Sequence, residues 1–348
     1  MWLRFVLPAL LSLLAAPALA AQRTFVSVNG SDTNSCAVTS PCRGFAAAIA
    51  LTDPGGEVIV LDSGGYGVVT IGQSVSIVAP TGVYGGISVF APDDGVVVNG
   101  SNIDVVLRGL VINGQGGVDG VNFQDGHSLL ITNCVVSGMS DDGLSSAAAG
   151  YLHVEDSEFS RNKKHGIAIS AALDAVVDRV RVEANGGAGL VAVEDASVSV
   201  SNSVVADNGG DGLSVTSDSA TATLAVTDSV ITGHLKGFGI SVGNAQSSGT
   251  ALLTVEHTTV TNNRYGIWAN NNGGTSVAHA SVANSTITAN TTVGLAVALG
   301  SVVLASNNTI SKNGIGVENV ATFQSPQNNI VAGNTTNHSG SVTVITPY

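Results

Sequence analysis

Acidic and basic side chains in the middle of the sequence recur at one constant step in residue number, which is 23. This step leads from Asp119 to Asp142 (142 − 119) and from Asp142 to His165 (165 − 142). The same step joins Asp141 to Lys164 (164 − 141). If residues one step apart are neighbours in the fold, these side chains form one site.

Such a site could carry out acid/base chemistry on a sugar. Asp142 or His165 would transfer protons, and Lys164 would stabilise negative charge. Asp119 and Asp141 would be candidate ligands for Ca²⁺, although nothing in the sequence requires a cofactor. The alternative is that opposite charges occupy adjacent exposed turns for solubility and weak ion pairing.

A second candidate site contains Arg264, Tyr265 and Trp268. Trp268 stands where strand alternation points side chains outward and where equivalent positions hold small residues. A sugar ring can stack on an exposed aromatic ring while a guanidinium donates hydrogen bonds to its hydroxyls. These residues therefore form a candidate carbohydrate-binding site. The alternative is that Trp268 covers apolar surface beneath the long loop at residues 270–276.

The N-terminal segment is typical of a secretory signal. Arg4 precedes an apolar run at residues 5–16, and small residues surround Ala18-Leu19-Ala20. We therefore expect residues 1–20 to be cleaved and the mature chain to be exported, to the periplasm or the medium. The apolar run is shorter than the roughly 20 residues of a transmembrane helix, so no transmembrane anchor is expected after cleavage.

The charge balance restricts the partners of the protein. The formal net charge is −13, which repels nucleic-acid phosphates and argues against nucleic acid as a partner. It also weighs against uronate polymers, unless a divalent cation bridges the two.

The three cysteines have different expected roles. Cys36 and Cys42 are six residues apart, and in an oxidising compartment we expect them to form a local disulfide. Cys134 is in register with Ser157 and Ser203 of later repeats, and we expect a buried, unreactive thiol.

A glycine followed by Leu, Ile or Val recurs through most of the chain. The first four steps in residue number are 23 each (143 − 120, for example), and the later four are 27, 27, 28 and 22. The series is Gly120, Gly143, Gly166, Gly189, Gly212, Gly239, Gly266, Gly294 and Gly316. Between these glycines apolar and polar residues alternate as they do in β-strands. Because such a unit cannot bury its apolar face alone, successive repeats are expected to stack, with equivalent strands paired.

Asparagine recurs four residues before five of these glycines. The positions are Asn162, Asn185, Asn208, Asn262 and Asn290. Asparagine tolerates left-handed backbone, and stacked amides can hydrogen-bond to each other. We therefore predict a structural ladder of asparagines at a tight corner of each coil.

The segment before the repeat reads Pro41-Cys42-Arg43-Gly44-Phe45 and continues into Ala46-Ala47-Ala48-Ile49-Ala50. With the repeat, it resembles the N-terminal cap of the bacterial right-handed parallel β-helix repeat proteins of the pectin lyase-like superfamily. The resemblance implies an all-β, single-stranded right-handed parallel β-helix of about nine or more coils with a short N-terminal capping helix. The expected division is a signal peptide at 1–20, a cap region at 21–60 and the β-helix at 61–348.

Many proteins of that superfamily act on acidic polysaccharides as lyases, hydrolases or epimerases, and many others have no known activity. Asp141-Asp142-Gly143 resembles the paired aspartates of the polygalacturonase-like hydrolases, but their Gly-His-Gly motif is absent. We therefore expect an exported protein that binds a polysaccharide or cell-surface glycan, and leave open whether it is an enzyme. The alternatives are a carbohydrate-active enzyme and a structural or adhesive rod.

Overall fold

Each coil of the chain contains three short strands whose residues alternate between a buried and an exposed side. In Ser197–Ser201, for example, both valines are buried, while the first two serines are exposed. A strand of this kind buries its apolar side only if neighbouring strands extend the sheet. Each strand accordingly pairs in parallel with its equivalent one coil on, so that Leu144 pairs with Ile167 and Ile167 with Leu190.

The structure, a computed structural model, describes residues 21–170, 172–244, 248–271 and 277–346. The predicted signal peptide lies outside the described residues, as does most of the loop expected to cover Trp268. Over the described residues the chain forms a right-handed parallel β-helix of about 11 turns, which confirms the predicted fold. No helix in this part of the chain has the length and apolar character needed to cross a membrane.

Three sheets run along the axis of the β-helix, and the chain visits them in the order one, two, three. Within the described ranges, sheet one has the strands Ala21–Val26, Thr52–Val60, Val75–Val78, Asp104–Arg108, Ser128–Thr132, Gly150–Glu155, Leu173–Asp178, Ser197–Ser201, Thr221–Thr227, Thr250–Glu256, Val277–Ala283, Ser301–Ser306, Thr322–Ser325 and Thr343–Val344. Sheet two has Gly64–Gly65, Gly85–Phe90, Leu110–Gln115, Val135–Ser137, Glu158–Ser160, Arg181–Glu183, Val204–Ala206, Val230–Thr232, Thr259–Thr261, Thr286–Thr288, Thr309–Ser311 and Ile330–Val331. Sheet three has Val69–Ile71, Val96–Asn99, Val121–Asp125, Leu144–Ser146, Ile167–Ile169, Leu190–Val193, Leu213–Thr216, Phe238–Asn244, Tyr265–Asn271, Val293–Val297, Ile315–Asn319 and Thr336–Ser339.

The N-terminal end of the β-helix is covered by the short helix Phe45–Ala50. This helix buries Phe45, Ala48 and Ile49, and the ring of Phe45 lies 5.3 Å from that of Tyr66, measured between ring centroids. The segment before the helix is closed by the Cys36–Cys42 disulfide, which confirms the predicted pairing. Both features belong to the predicted cap region, which also supplies the first two strands of sheet one.

The repeated glycines allow successive coils to approach closely where sheet three begins. A Cβ atom on Gly143 would lie only 2.6 Å from the carbonyl oxygen of Gly166 and 2.6 Å from Nδ2 of Asn162. That carbonyl accepts a hydrogen bond of 3.0 Å from the backbone N–H of Leu144. A side chain at Gly143 would therefore separate the two coils and break the hydrogen bond with which the sheet-three strand begins.

The asparagine ladder is present, but its register and its backbone differ from the prediction. Nδ2 of Asn162 donates to Oδ1 of Asn185 at 2.9 Å, and Asn185 donates in the same way to Asn208. Farther along, the ladder residue is Asn263 and not Asn262, because Asn263 donates to Oδ1 of Asn290 at 3.1 Å. The segment from the ladder asparagine to the glycine is one residue shorter in this coil (266 − 263 = 3, against 166 − 162 = 4), so the distance to the glycine is not constant.

The left-handed backbone belongs to the residue that precedes each ladder asparagine. Arg161, Ala184 and Asn262 have φ values of 55°, 55° and 56°, whereas the ladder residues that follow them are not left-handed. The turn at the preceding residue directs the amide inward, and the amide then bonds to the next coil. The ladder therefore selects asparagine for its inward hydrogen bonds.

Cys134 lies in a second interior ladder, as predicted. Its side chain is 1% exposed, and its backbone N–H donates to Oγ of Ser157 at 3.0 Å. Burial raises the pKa of the Cys134 thiol to about 11. The thiol is therefore protonated near neutral pH and unreactive.

Candidate functional site

The residue before each repeated glycine belongs to one row along the β-helix, at the turn from sheet two into sheet three. We call it the turn row. Its members are Asp94, which precedes the equivalent Gly95 one coil before the series, and then Asp119, Asp142, His165, Ala188, Asp211, Phe238, Tyr265, Val293 and Ile315. Along the axis the row changes from acidic to aromatic to aliphatic. Both sites predicted from the sequence therefore lie on the same flank of the molecule.

In the acidic part of the turn row, each side chain accepts a backbone hydrogen bond from the next coil. Oδ1 of Asp119 accepts the N–H of Asp142 at 2.9 Å, and Oδ1 of Asp142 accepts the N–H of His165 at 2.8 Å. Nδ1 of His165 accepts the N–H of Ala188 at 3.0 Å. These groups satisfy backbone donors that the turn would otherwise leave unpaired.

Burial changes the acidity of these carboxyl groups. Asp119 and Asp142 are only 7% and 4% exposed. Burial raises the pKa of Asp119 to about 6, with repulsion from Asp94 and Asp142 adding to the shift, and burial also raises the pKa of Asp142. An acid with a raised pKa can donate a proton near neutral pH, but groups this buried have little surface for contact with a sugar.

The pairing of Asp141 with Lys164 follows the regular step of the repeat. Nζ of Lys164 lies 3.1 Å from Oδ1 of Asp141 and 3.6 Å from Oδ2 of Asp142. The hydrogen bond to Asp141 raises the pKa of Lys164. Carboxylate oxygens of Asp119, Asp141 and Asp142 lie within 4.8 Å of one another, and such donors suit Ca²⁺. A cation at this position would have to displace the ammonium group of Lys164.

The aromatic part of the turn row forms a cluster with Trp268. The ring centroid of Trp268 lies 4.3 Å from that of Phe238 and 5.0 Å from that of Tyr265. Cζ of Arg264 lies 5.5 Å from the centroid of the Tyr265 ring. The predicted group of Arg264, Tyr265 and Trp268 is therefore contiguous, and Phe238 completes it.

Trp268 and Phe238 line a groove of about 530 Å³ on the outer face of sheet three. The other groove residues are Val193, Glu194, Asp211, Ser214, Thr216, Ser217, Asp218, Ser241, Val242, Gly243 and Asn270. Trp268 is half-buried and pairs with Ser241 on one side and Ala296 on the other. Tyr265 contacts the tryptophan and Arg264 contacts Tyr265, but neither residue lines the groove.

Asp211 connects the turn row to this groove. Its Oδ1 accepts the N–H of Phe238 at 3.0 Å, and its Oδ2 accepts the hydroxyl of Ser241 at 2.7 Å. Burial raises its pKa. Neither Asp211 nor Phe238 was predicted as a groove residue, although each precedes a repeated glycine and could have been placed beside Tyr265 by register.

A second and larger groove, of about 740 Å³, follows the outer face of sheet one. It spans six strands, and its outward residues include Tyr151, His153, Val176, Ser199 and Leu252. Tyr151 is 55% exposed, with its ring 5.5 Å from that of His127. This groove was not predicted from the sequence, although outward Tyr151, Val176 and Leu252 depart from the polar side of the strand pattern and could have indicated it.

The acidic and aromatic parts of the turn row do not form one pocket. Asp142 and Tyr265 are five coils apart, which corresponds to about 24 Å at about 4.8 Å per coil. The groove at Trp268 reaches the row at Asp211 and Phe238. Any joint action of the two parts would require an extended ligand.

Comparison with known proteins supports the fold. Residues 94–250 match the family model described as "Right handed beta helix region". No curated protein matches the chain. Among solved structures, pectate lyase Pel9A has a TM-score of 0.54 at 14% identity, over 93% of this chain and 80% of that one.

Two further structures are similar over most of the chain. The Dettilon tailspike protein (gp208) has a TM-score of 0.69 at 15% identity, over 93% of this chain and 68% of that one. The A-module of the Azotobacter vinelandii mannuronan C-5 epimerase AlgE4 has a TM-score of 0.57 at 15% identity, over 84% of this chain and 91% of that one. At such low sequence identity, these similarities are evidence for the fold alone. The chain therefore has the right-handed parallel β-helix fold that its resemblance implied.

Proposed function

We propose that the protein binds a polysaccharide in the groove that contains Trp268 and Phe238. The observation that carries this proposal is the aromatic cluster at one end of the groove, in contact with hydroxyl and carboxylate groups. Aromatic rings can pack against the apolar faces of sugar rings, and the polar groups can accept hydrogen bonds from sugar hydroxyls. A groove of about 530 Å³ is within the usual range for ligand sites, roughly 300–1,000 Å³.

The surroundings of Trp268 favour a binding role over a packing role. Equivalent positions in the same row hold Ser214, Ser241 and Ala296, so the β-helix does not need a large side chain there. Two of the similar structures are named for proteins that act on polysaccharides, a pectate lyase and a mannuronan epimerase. We infer that this chain also meets its glycan outside the cytoplasm, since it has a signal-like N-terminus and a disulfide.

The test is the affinity of residues 21–348 for cellotetraose, maltotetraose and α-1,3-glucotetraose, measured by calorimetry. Trp268→Ala should weaken binding of the best ligand at least tenfold, which corresponds to about 1.4 kcal/mol. Its fold should survive, because alanine occupies the neighbouring position 296. Tyr151→Ala in the sheet-one groove is the matched control and should leave affinity unchanged. Loss of binding in Tyr151→Ala but not in Trp268→Ala would show that the sheet-one groove is the binding site.

A catalytic function is the second candidate, with the acidic part of the turn row as its site. It is favoured by the raised pKa values of Asp119 and Asp142 and by the ammonium of Lys164 beside them. His165 would be the second proton-transferring group, and Ca²⁺ held by Asp119 and Asp141 an optional cofactor. The same oligosaccharides, with tetragalacturonate and tetramannuronate added, would be incubated with and without Ca²⁺ and read for new reducing or unsaturated ends. Binding without any product would favour the binding function, and neither binding nor product would favour a structural rod.

A further inference from the structure

The groove at Trp268 is lined by acidic groups and by no basic ones. Glu194, Asp211 and Asp218 are groove residues, and the described groove residues include no Lys, Arg or His. The adjacent segments 245–247 and 272–276, which lie outside the described residues, contain no charged residue in the sequence. The charged side chains that line the described part of the groove are therefore all acidic.

Two of these carboxylates are held in place by neutral donors. Oε1 of Glu194 accepts the N–H of Asp218 at 3.3 Å, and Oε2 accepts the hydroxyl of Ser219 at 3.0 Å. Asp211 is held by the N–H of Phe238 and the hydroxyl of Ser241. Hydrogen bonds from uncharged donors fix the position of a carboxylate without neutralising its charge.

Both carboxylates lie on coils that precede the coil of Trp268. Asp211 precedes the sheet-three strand Leu213–Thr216, and Glu194 follows the neighbouring strand Leu190–Val193. A sugar chain that stacks on Trp268 and follows the groove toward these earlier coils would therefore pass both acidic groups. A ligand carboxylate brought into this groove would be repelled, and a hydroxyl would find hydrogen-bond acceptors.

We propose that this groove selects a glycan that carries no acidic groups and discriminates against uronate chains. This inference rests on the proposed glycan binding at Trp268 and adds the class of ligand. In this preference the chain would differ from the pectate lyase and the mannuronan epimerase that share its fold, because their names refer to acidic polymers.

The test compares ligands that differ only in charge. Cellotetraose, maltotetraose and α-1,3-glucotetraose are each compared with the same tetrasaccharide oxidised at C6 to the uronate. Trp268 is the only tryptophan in residues 21–348, so its fluorescence reports on this groove directly. The oxidised form of the best neutral ligand should bind at least tenfold more weakly at low salt, and the difference should narrow in 0.5 M NaCl because salt screens the repulsion.

Glu194→Gln removes the charge and keeps the shape, since the amide oxygen can still accept the N–H of Asp218 while the amide NH₂ donates to the hydroxyl oxygen of Ser219. This variant should reduce the ratio of neutral-ligand to uronate affinity severalfold, because the uronate gains affinity once the repulsion from Glu194 is removed. Asp174→Asn, on the outer face of sheet one, is the control and should change neither affinity. Equal or tighter binding of the uronate would overturn the charge selection and leave the proposed function standing. Binding of neither form would overturn both.

Discussion

At the scale of single residues, the acidic end of the turn row combines useful hydrogen bonds with unfavourable charge. Asp119 accepts the N–H of Asp142, but it does so as a buried group close to the carboxylates of Asp94, Asp141 and Asp142. Burial and this repulsion raise the pKa of Asp119 from 3.8 to about 6. The folded chain therefore holds the Asp119 proton more tightly than the unfolded chain does.

Asp119→Asn should make the protein more stable at neutral pH. Between about pH 4 and pH 6 the folded state binds more protons at this site than the unfolded state, so the contribution of Asp119 to stability falls as the pH rises. The asparagine keeps an oxygen that can accept the Asp142 N–H and removes the charge. A pKa shift of about two units limits the gain in the free energy of unfolding to about 3 kcal/mol above pH 7. This gain should vanish below pH 4.

Thermal unfolding of the wild type and Asp119→Asn at pH 3.5 and pH 8 measures this effect. Asp174→Asn on the outer face of sheet one is the control, because that carboxylate is exposed. A variant that is less stable at pH 8 would contradict this prediction and show that the charged form of Asp119 stabilises the fold.

At the scale of structural elements, the asparagine ladder contains one histidine. His234 is fully buried and lies between Asn208 and Asn263. Its Nδ1 lies 2.8 Å from Oδ1 of Asn263, and its Nε2 lies 3.2 Å from Nδ2 of Asn208. Since an amide oxygen can only accept and an amide NH₂ can only donate, the imidazole is neutral with its proton on Nδ1.

Protonation of His234 would place two donors against each other, at its Nε2 and at Asn208. Burial lowers the pKa of His234 below its ordinary 6.5, although the hydrogen bond to Asn263 and the charge of Asp207 act in the opposite direction. The unfolded chain therefore takes up this proton first as the pH falls. The stability that the ladder gains from neutral His234 is present above pH 6.5 and decreases as the pH falls below it.

His234→Asn, which restores the residue found elsewhere in the ladder, should raise the melting temperature at pH 5 and change it little at pH 8. The expected rise in melting temperature is roughly 2–4 °C for each kcal/mol gained in the free energy of unfolding. His153→Asn is the matched control, because His153 is exposed on sheet one. An equal effect of His234→Asn at both pH values would mean that packing around the imidazole, not its titration, limits stability.

Where the repeat is regular, the sequence predicts neighbouring residues correctly. The regular step placed Asp142 beside His165 and Asp141 beside Lys164, because strand pairing turns a constant period into contact. Where the length of the coil or of its segments varies, the prediction was wrong by one position, as it was at Asn262. The groove at Trp268 was predicted only in part, since its volume depends on how strands of four coils align, and Phe238 joins it across one of the longer steps.

At the scale of the whole molecule, the two ends of the β-helix differ. The N-terminal end is closed by the helix Phe45–Ala50, which covers the core of the first coils. In the last coil, the side chains of Ile330 and Val344 are 62% and 56% exposed. In a solenoid each coil contacts mainly its neighbours, so damage at one end should not spread far along the axis.

This asymmetry predicts that the chain tolerates loss of its last coil but not of its cap. A chain that ends at Val320 lacks residues that are largely exposed, and the strand Val293–Val297 still separates Trp268 from the new end. Its melting temperature should fall by only a few degrees, and its affinity for the best tetrasaccharide should stay within twofold. A chain that begins at Thr52 exposes the core under the helix, and we expect it to aggregate or to melt at a much lower temperature.

Circular dichroism measures the melting temperature of both truncated chains, and Trp268 fluorescence measures their affinity for the ligand. If ending the chain at Val320 abolished binding, stability in this β-helix would be shared along its whole length, and the nearest-neighbour description would be wrong. If binding survives while melting falls slightly, the groove depends only on the coils that build it. Ligand binding would then be a local property of the four coils that contain Glu194, Asp211, Phe238 and Trp268.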